Sequence, residues 1–377
     1  MNKFHALLIF AVSLSVIMTS ALAASSLNSP SACSGQWNNC VRAFADDANR
    51  AAASVTSTSN KTGTWNNYGF SIPNSSTIDN VIVRADFFAS NIRGYINVRV
   101  SGDGGATFGP SHVIGGNTAE QTFLINVNSD TTWTPAKLSN ANLRVQATCF
   151  KQGSGNNPTC RLDWIPVQVD STPFDFAVSV NPSNGAVIQG NNATTTTTVS
   201  LLGGASQQVV LTHSGCPANS TCFFSPSSGI PPYTSTFTVI TNPSTPLGTH
   251  LINVTGTGDG KTRNAIYTLT VNPPTPFDFA VSVNPSNKTV IQGGNTNTTT
   301  TVSLLGGVSQ QVVLTSIGCP PDATCLSIPA SGIPPYTSTF TVITNSTTPL
   351  GTYFMNVTGT GDGKTRTAIY LLTVNPP

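Results

Sequence analysis

Apolar and polar residues alternate along most of the chain. The alternation is clear in runs such as "FDFAVSV", "TSTFTVIT" and "RNAIYTLTV". A period of two predicts β-strands, because successive side chains of a strand point to opposite faces of its sheet. Turn residues interrupt these runs roughly every 8 to 12 positions, the spacing of a sandwich fold. The pattern therefore predicts an all-β protein built from many short strands.

The second half of the chain is an internal repeat. The words "FDFAVSVNPSN" begin at Phe174 and again at Phe277. The residues that follow align without a gap, at about four identical positions in five. We therefore predict two repeat domains, 174–273 and 277–377, after an N-terminal domain, 24–170. The connectors "DSTP" and "NPPTP" are short and rich in proline, so we expect neighbouring domains to be joined with little slack.

Each repeat is predicted to fold as a Greek-key sandwich of immunoglobulin type. Six or seven alternating runs fall within roughly 100 residues, which is typical of that fold. The words "YTSTFTVITN", "TPLGT", "NVTGT" and "LTVNP" resemble the immunoglobulin-like repeats strung together in secreted and surface proteins of archaea and bacteria. The resemblance implies a fold and no activity. The expected core residues are Val209, Leu211, Phe237, Val239, Ile252, Val254, Ile266 and Leu269.

The segment before the repeats contains no copy of them, yet it holds all four tryptophans. Runs such as "TIDNVIVRADFFA" and "RLDWIPVQVD" again alternate, and a single jelly-roll-like β-sandwich is the most economical fold for this length. The words "FADDANRAAA" and "LDWIPVQV" resemble a poorly characterised sandwich module of archaeal and phage surface proteins. That resemblance implies no active site. The predicted architecture is thus an N-terminal β-sandwich followed by two tandem immunoglobulin-like β-sandwiches.

Residues 1–23 have the features of a secretory signal peptide. Lys3 precedes an apolar run, and a cleavage site with small residues ends at Ala23. The apolar run is shorter than the ~20 residues that a membrane-spanning helix needs. We therefore expect a secreted or cell-surface protein. No sorting motif follows the final "LTVNPP", which favours release.

Eight cysteines fall into four close pairs, as expected for local disulfides in an exported chain. Zinc is the competing explanation, but its ligands are spaced more tightly and often include histidine. Bridges of this kind pin loops rather than hold domains together. The expected pairs are Cys33 with Cys40, Cys149 with Cys160, Cys216 with Cys222, and Cys319 with Cys325.

Charge and one glycine-rich motif bear on nucleic acids and nucleotides. The formal net charge is +2 and only 8% of residues are charged, so the clustered Lys and Arg of a nucleic-acid surface are missing. The words "GTGDGKTR" occur twice, but a phosphate-binding loop needs glycine where Thr255 and Thr358 stand. An alternating strand follows each copy instead of a helix, which excludes the nucleotide interpretation.

The Asp-Gly pairs of these motifs favour hairpin turns, because they lie between two alternating runs. A similar turn is predicted in "SGDGGATF", which resembles the Asp-box of sialidases, a turn motif that lies far from their catalytic residues. A calcium ion at this box is disfavoured, since only one carboxylate is present. The predicted turn residues are Asp103, Asp259, Gly260, Asp362 and Gly363.

No catalytic residue, metal site or cofactor is predicted. Glu120 is the only glutamate, so the paired carboxylates of a glycosidase are not evident. His213 and His250 are replaced by Ser316 and Tyr353 in the second repeat, which argues against a shared role.

Aromatic residues of the N-terminal domain are the candidates for ligand binding. Trp65 and Tyr68 lie in "TWNNYGF" and Trp133 in "SDTTWTP". Exposed aromatic rings stack on sugars, although core packing is the commoner fate of tryptophan in a small sandwich. The expected partners are glycans or other surface proteins.

These observations predict a non-enzymatic protein with an adhesive N-terminal domain on a stalk of repeats. Two alternatives stay open. One is a filament or surface-layer subunit that self-assembles by adding a β-strand to an open sheet edge. The other is a carbohydrate-binding or carbohydrate-active secreted protein.

Overall fold

The computed structural model describes residues 22–377. These residues form 29 strands and two short 3-10 helices, Cys40–Ala43 and Pro135–Leu138, so the predicted all-β class is confirmed. All but the last two residues of the predicted signal peptide lie outside the described residues. Within residues 22–377, no helix is long and apolar enough to cross a membrane.

The N-terminal part of the chain forms a sandwich of two antiparallel sheets. One sheet has the order β1-β11-β5-β10-β3 with β8 also paired to β5, and the other has the order β2-β4-β9-β6-β7. The strands are β1 (Ala24–Asn28), β2 (Ala32–Gly35), β3 (Ala51–Ser54), β4 (Lys61–Asn66), β5 (Thr77–Ala89), β6 (Gly94–Ser101), β7 (His112–Gly115), β8 (Gln121–Asn126), β9 (Arg144–Lys151), β10 (Thr159–Trp164) and β11 (Val167–Thr172).

The first repeat forms a second sandwich, as its period-two pattern predicts. Its sheets have the orders β12-β14-β18-β16 and β13-β20-β19-β15-β17. The strands are β12 (Asp175–Asn181), β13 (Asn184–Ile188), β14 (Asn192–Gly203), β15 (Val209–Ser214), β16 (Ser220–Ser225), β17 (Ser228–Gly229), β18 (Tyr233–Thr241), β19 (Gly248–Gly258) and β20 (Lys261–Asn272).

The second repeat has the same topology, with sheets β21-β23-β27-β25 and β22-β29-β28-β24-β26. Strand β22 runs parallel to β29, and every other pairing in this repeat is antiparallel. The strands are β21 (Asp278–Asn284), β22 (Asn287–Ile291), β23 (Asn295–Gly306), β24 (Val312–Ile317), β25 (Thr324–Ile328), β26 (Ser331–Gly332), β27 (Tyr336–Ile343), β28 (Gly351–Gly361) and β29 (Lys364–Asn375).

Each sandwich has its own hydrophobic core. By compactness, however, the chain divides into two units between Val271 and Asn272, and the first unit holds the N-terminal sandwich together with the first repeat. The domain boundaries 24–170, 174–273 and 277–377 therefore stay predictions.

The core of the first repeat contains all but one of the expected residues. Ile266 is 55% exposed, so its assignment to the core was wrong, whereas the neighbouring Tyr267 is 1% exposed. Side chains of a strand alternate between its faces, and an odd spacing separates Ile266 from the buried Leu269. These two residues therefore cannot share a face, and Ile266 points away from the core.

All four expected disulfides are formed, and one of them links the two sheets of a sandwich. Cys149 lies on β9 and Cys160 on β10, strands that belong to opposite sheets of the N-terminal sandwich. Both residues are fully buried. This bridge therefore fastens the sandwich core, a role beyond the loop pinning expected from the short cysteine spacing.

Asp259 and Gly260 form the two-residue turn between β19 and β20. Their φ angles are 48° and 72°, and two positive φ values are the requirement of a type I′ turn. The turn also reaches the N-terminal sandwich, which belongs to the same compact unit. Ser75 donates its hydroxyl to Asp259 Oδ2 at 2.6 Å and accepts the Ala205 N–H on its carbonyl oxygen at 2.8 Å.

Candidate ligand-binding groove

Two of the three aromatic residues predicted to bind a ligand lie in the core. Trp65 is fully buried and Tyr68 is 3% exposed. The Trp65 indole N–H donates to Cys40 O at 3.1 Å, and the Tyr68 hydroxyl donates to Ile165 O at 3.2 Å. Burial raises the pKa of the Tyr68 hydroxyl well above its ordinary value. The prediction that these two rings offer a binding face was wrong, because both are used to fill the sandwich.

Trp133 is the exception, since it is only half-buried. It lies in the loop between β8 and the 3-10 helix at Pro135–Leu138. Its indole N–H donates to Val127 O at 2.9 Å, which fixes the ring against the loop. The ring lines an open groove of about 530 Å³, whose other walls are formed by Ile78, Asp79, Asn128, Ser129, Thr131 and Thr132.

Hydrogen bonds hold the polar walls of this groove in place. Asp79 accepts the hydroxyl of Thr77 at 3.2 Å and that of Thr172 at 2.6 Å. Asn128 accepts the Val81 N–H at 2.6 Å through its amide oxygen. Because these side chains are preorganised, a ligand would bind without the entropy cost of ordering them. One aromatic ring beside short polar groups suits the mixed apolar and hydroxyl surface of a sugar.

A second pocket of about 260 Å³ adjoins the groove and shares Thr131 with it. Lys137 lines this pocket and donates its ammonium group to the Thr131 hydroxyl at 2.6 Å. Asp130, on the same wall, lies 2.8 Å from His112 Nε2. The groove and the pocket together combine an aromatic ring, hydroxyl groups and an ammonium group.

Asp103 also lines the pocket, but its oxygens are engaged in the turn of "SGDGGATF". It accepts the Ser101 hydroxyl at 2.6 Å and the hydroxyl of Thr107 at 2.5 Å. The Ser101 hydroxyl, followed by the Thr107 hydroxyl and N–H, holds the pKa of the Asp103 carboxyl far below its ordinary value. The residue therefore acts as a turn stabiliser, the role that its resemblance to an Asp-box implies.

A buried carboxyl group, that of Asp163, lies near the exposed Glu120 elsewhere in the N-terminal sandwich. Asp163 is 2% exposed. Its burial, and to a smaller extent the charge of Glu120, raises its pKa to about 6. Asp163 Oδ2 accepts the Ala48 N–H at 3.2 Å, and Glu120 lies 2.6 Å from Arg50. Asp163 Oδ1 has no hydrogen-bond partner among the described residues, and the nearby Glu120 carboxylate is paired with Arg50. Sequence reasoning missed the pair because no motif connects these distant positions.

The remaining chemical candidates have structural roles. His213, Cys216 and Cys222 cluster in a way that suggests a metal site, but the two sulfurs are bonded to each other and offer no thiolate. His213 Nε2 lies 3.0 Å from Cys222 O. Lys261, the lysine of the first "GKT", lies 3.7 Å from Asp175. Its ammonium group thus faces a carboxylate of β12.

No protein-family model matches the chain, and no curated protein matches it. Several solved structures of tandem β domains are similar to it at low scores. The titin domains Z1Z2, solved in complex with telethonin, match at 16% identity and a TM-score of 0.31, covering 54% of this chain and 96% of that one. Domains 4 and 5 of the S-layer protein SbsC match at 21% identity and a TM-score of 0.23, covering 36% and 68%. The D00-D0 domain of intimin matches at 10% identity and a TM-score of 0.21, covering 53% and 100%.

Proposed function

We propose that the protein is an extracellular, non-enzymatic binding protein that holds a glycan in the Trp133 groove. The observation that carries the proposal is the half-exposed ring of Trp133, fixed by its own hydrogen bond beside Asp79 and Asn128. A fixed aromatic ring loses little freedom when a sugar stacks on it, and the neighbouring polar groups can accept or donate hydrogen bonds to its hydroxyls.

The four disulfides support an extracellular location. Such bridges form and persist in oxidising compartments outside the cytosol. The expected role of the two repeats is that of a spacer, because each is a sandwich with its own core joined by a short proline-rich connector.

A glycan array probed with the full chain from Ala24 tests the proposal. We expect binding to a restricted set of glycans, lost in Trp133→Ala and weakened in Asp79→Asn. Trp164→Ala is the matched control, because Trp164 is also half-buried in the N-terminal sandwich but stacks on Arg84 at 4.5 Å, away from the groove residues. Equal binding by Trp133→Ala and the parent chain would refute the groove as the site. Circular dichroism of each variant checks that the fold is retained.

A further inference from the structure

The two repeats expose apolar residues on the outer face of one sheet. In the second repeat this face carries Ile317 on β24, Phe354 on β28 and Ile369 on β29, which are 66%, 70% and 59% exposed. In the first repeat the corresponding positions of β19 and β20 hold Leu251 and Ile266, 65% and 55% exposed. Exposed apolar side chains that cluster on one face mark a surface that something covers.

An asparagine lies at the centre of each of these faces. Asn356 is the cross-strand partner of both Ile317 and Ile369, and Phe354 lies two residues before it on the same face of β28. Asn253 is likewise paired with Ile266, with Leu251 two residues before it. Both asparagines are partly exposed, and the Asn253 amide nitrogen makes only a long hydrogen bond, to the Thr255 hydroxyl at 3.4 Å.

Each of these asparagines begins an Asn-Val-Thr sequence, the acceptor pattern for N-linked glycans. Five other acceptor sequences occur in the repeats, and each is present in one copy only. They begin at Asn192, Asn219, Asn287, Asn297 and Asn345. Within the repeats, the acceptor sequence that survives in both copies is therefore the one surrounded by exposed apolar side chains.

The first repeat also shows where a sugar would lie. A mainly apolar groove of about 460 Å³ adjoins Asn253 and is lined by Val178, Val180, Ala265 and Ile266. Sugar rings present apolar C–H faces, so a glycan attached at Asn253 can bury aliphatic surface there. At Asn356 the same attachment places the first sugar beside the Phe354 ring, where it can stack.

We propose that Asn253 and Asn356 are N-glycosylation sites, and that the first sugars of their glycans cover the exposed apolar faces of the two repeats. This inference rests on the proposed extracellular location. The donor is a lipid-pyrophosphate-linked oligosaccharide, used by a host transferase. A bond forms between the asparagine Nδ2 and the anomeric carbon of the first sugar. The bond from that carbon to the pyrophosphate oxygen breaks, the amide loses one proton, and the lipid pyrophosphate leaves.

The test is secretion of the full chain from a eukaryotic host, followed by mass spectrometry of its peptides before and after amidase release of N-glycans. We expect glycans at Asn253 and Asn356, lost in Asn253→Gln and Asn356→Gln. Empty sites at 253 and 356 beside occupied single-copy sites such as Asn287 would overturn this inference and leave the extracellular location intact. A chain retained in the cell with every site empty would count against both.

Packing of the sugar is tested separately from attachment. Enzymatic removal of glycans is expected to lower the Tm of the second repeat by a few degrees in the parent chain and by less in Phe354→Ser, whose ring is absent. Phe354 is 70% exposed, so this change leaves the core untouched. Asn287→Gln is the matched control, since Asn287 precedes Lys288 at the edge strand β22, and its loss is expected to leave the Tm unchanged. An equal fall in Tm with and without the Phe354 ring would overturn the packing role.

Discussion

Arg263 donates to both carboxylate oxygens of Asp175, at 2.7 and 2.8 Å, and so ties the hairpin of β19 and β20 to strand β12. The second repeat reproduces the contact between Arg366 and Asp278 at 2.7 Å. The residues that follow the glycines of "GTGDGKTR" thus bind a carboxylate of their own repeat. The arginine of each motif forms an ion pair within its own repeat, so the motif has a structural role.

Removing the carboxylate is expected to lower the free energy of unfolding by different amounts in the two repeats. Both carboxylates also accept the N–H of the following phenylalanine, at 2.8 Å in the first repeat and 2.9 Å in the second, but the side chain of Asp175 is 11% exposed and that of Asp278 is 32% exposed. Asp175→Ala removes the less exposed of the two carboxylates and is expected to lower the free energy of unfolding by about 1 to 3 kcal/mol. Asp278→Ala is expected to cost less, because water replaces the lost contact.

Hydrogen–deuterium exchange measures both changes in the full chain. Asp175→Ala should speed exchange of the β12 amides more than Asp278→Ala speeds exchange of the β21 amides. The unchanged copy in each variant is the internal control. If the β12 amides of Asp175→Ala exchange as slowly as those of the parent chain, the ion pair does not hold the strand.

The carboxyl pair of Asp163 and Glu120 predicts a pH dependence. Burial and the neighbouring charge raise the pKa of folded Asp163 to about 6, whereas an unfolded aspartate has a pKa of about 3.9. The folded state therefore binds more protons between these values, and the contribution of Asp163 to the free energy of unfolding falls as pH rises through this window. It is greatest below about pH 4 and is lost above about pH 6.

Thermal denaturation of the full chain between pH 4 and pH 8 checks this dependence. Asp163→Asn removes the titrating group. The Tm of the N-terminal sandwich in this variant should therefore increase relative to that of the parent chain as pH rises. Glu120→Gln removes the repelling charge and should act in the same direction. A constant difference in Tm between parent and variants at every pH would contradict the pKa assigned to Asp163.

The contact between Ser75 and Asp259 predicts that the first repeat stabilises the N-terminal sandwich. Ser75 is buried, and its hydroxyl reaches a charged acceptor at 2.6 Å. Ser75→Ala should leave both cores intact and loosen their coupling, so their unfolding transitions should separate in calorimetry. Ser76→Ala is the neighbouring control, because its hydroxyl has no hydrogen-bond partner among the described residues. Transitions that stay together in Ser75→Ala would show that this bond does not couple them.

Local pattern predicted the strands well because alternation depends on neighbouring residues. The pattern was misapplied at Ile266, because its odd spacing from Leu269 already places the two side chains on opposite faces of β20. It also failed at Trp65 and Tyr68, since the alternation of "TWNNYGF" does not show which sheet face is covered. The groove and the carboxyl pair depend on contacts between distant residues. Only the folded chain brings Asp79 beside Trp133, or Asp163 beside Glu120.

The burial of the disulfides predicts the order in which they are reduced. Cys149 and Cys160 are fully buried between the sheets of the N-terminal sandwich, whereas the cysteines of the other three bridges are partly exposed. A reductant must contact a sulfur atom to exchange with it, so the buried bridge should be protected until the sandwich opens. Limited treatment of the native chain with a phosphine, alkylation and peptide mass spectrometry should label Cys216, Cys222, Cys319 and Cys325 before Cys149 or Cys160. The same treatment in urea should abolish the order. Early labelling of Cys149 under native conditions would mean that the two sheets separate far more readily than their packing implies.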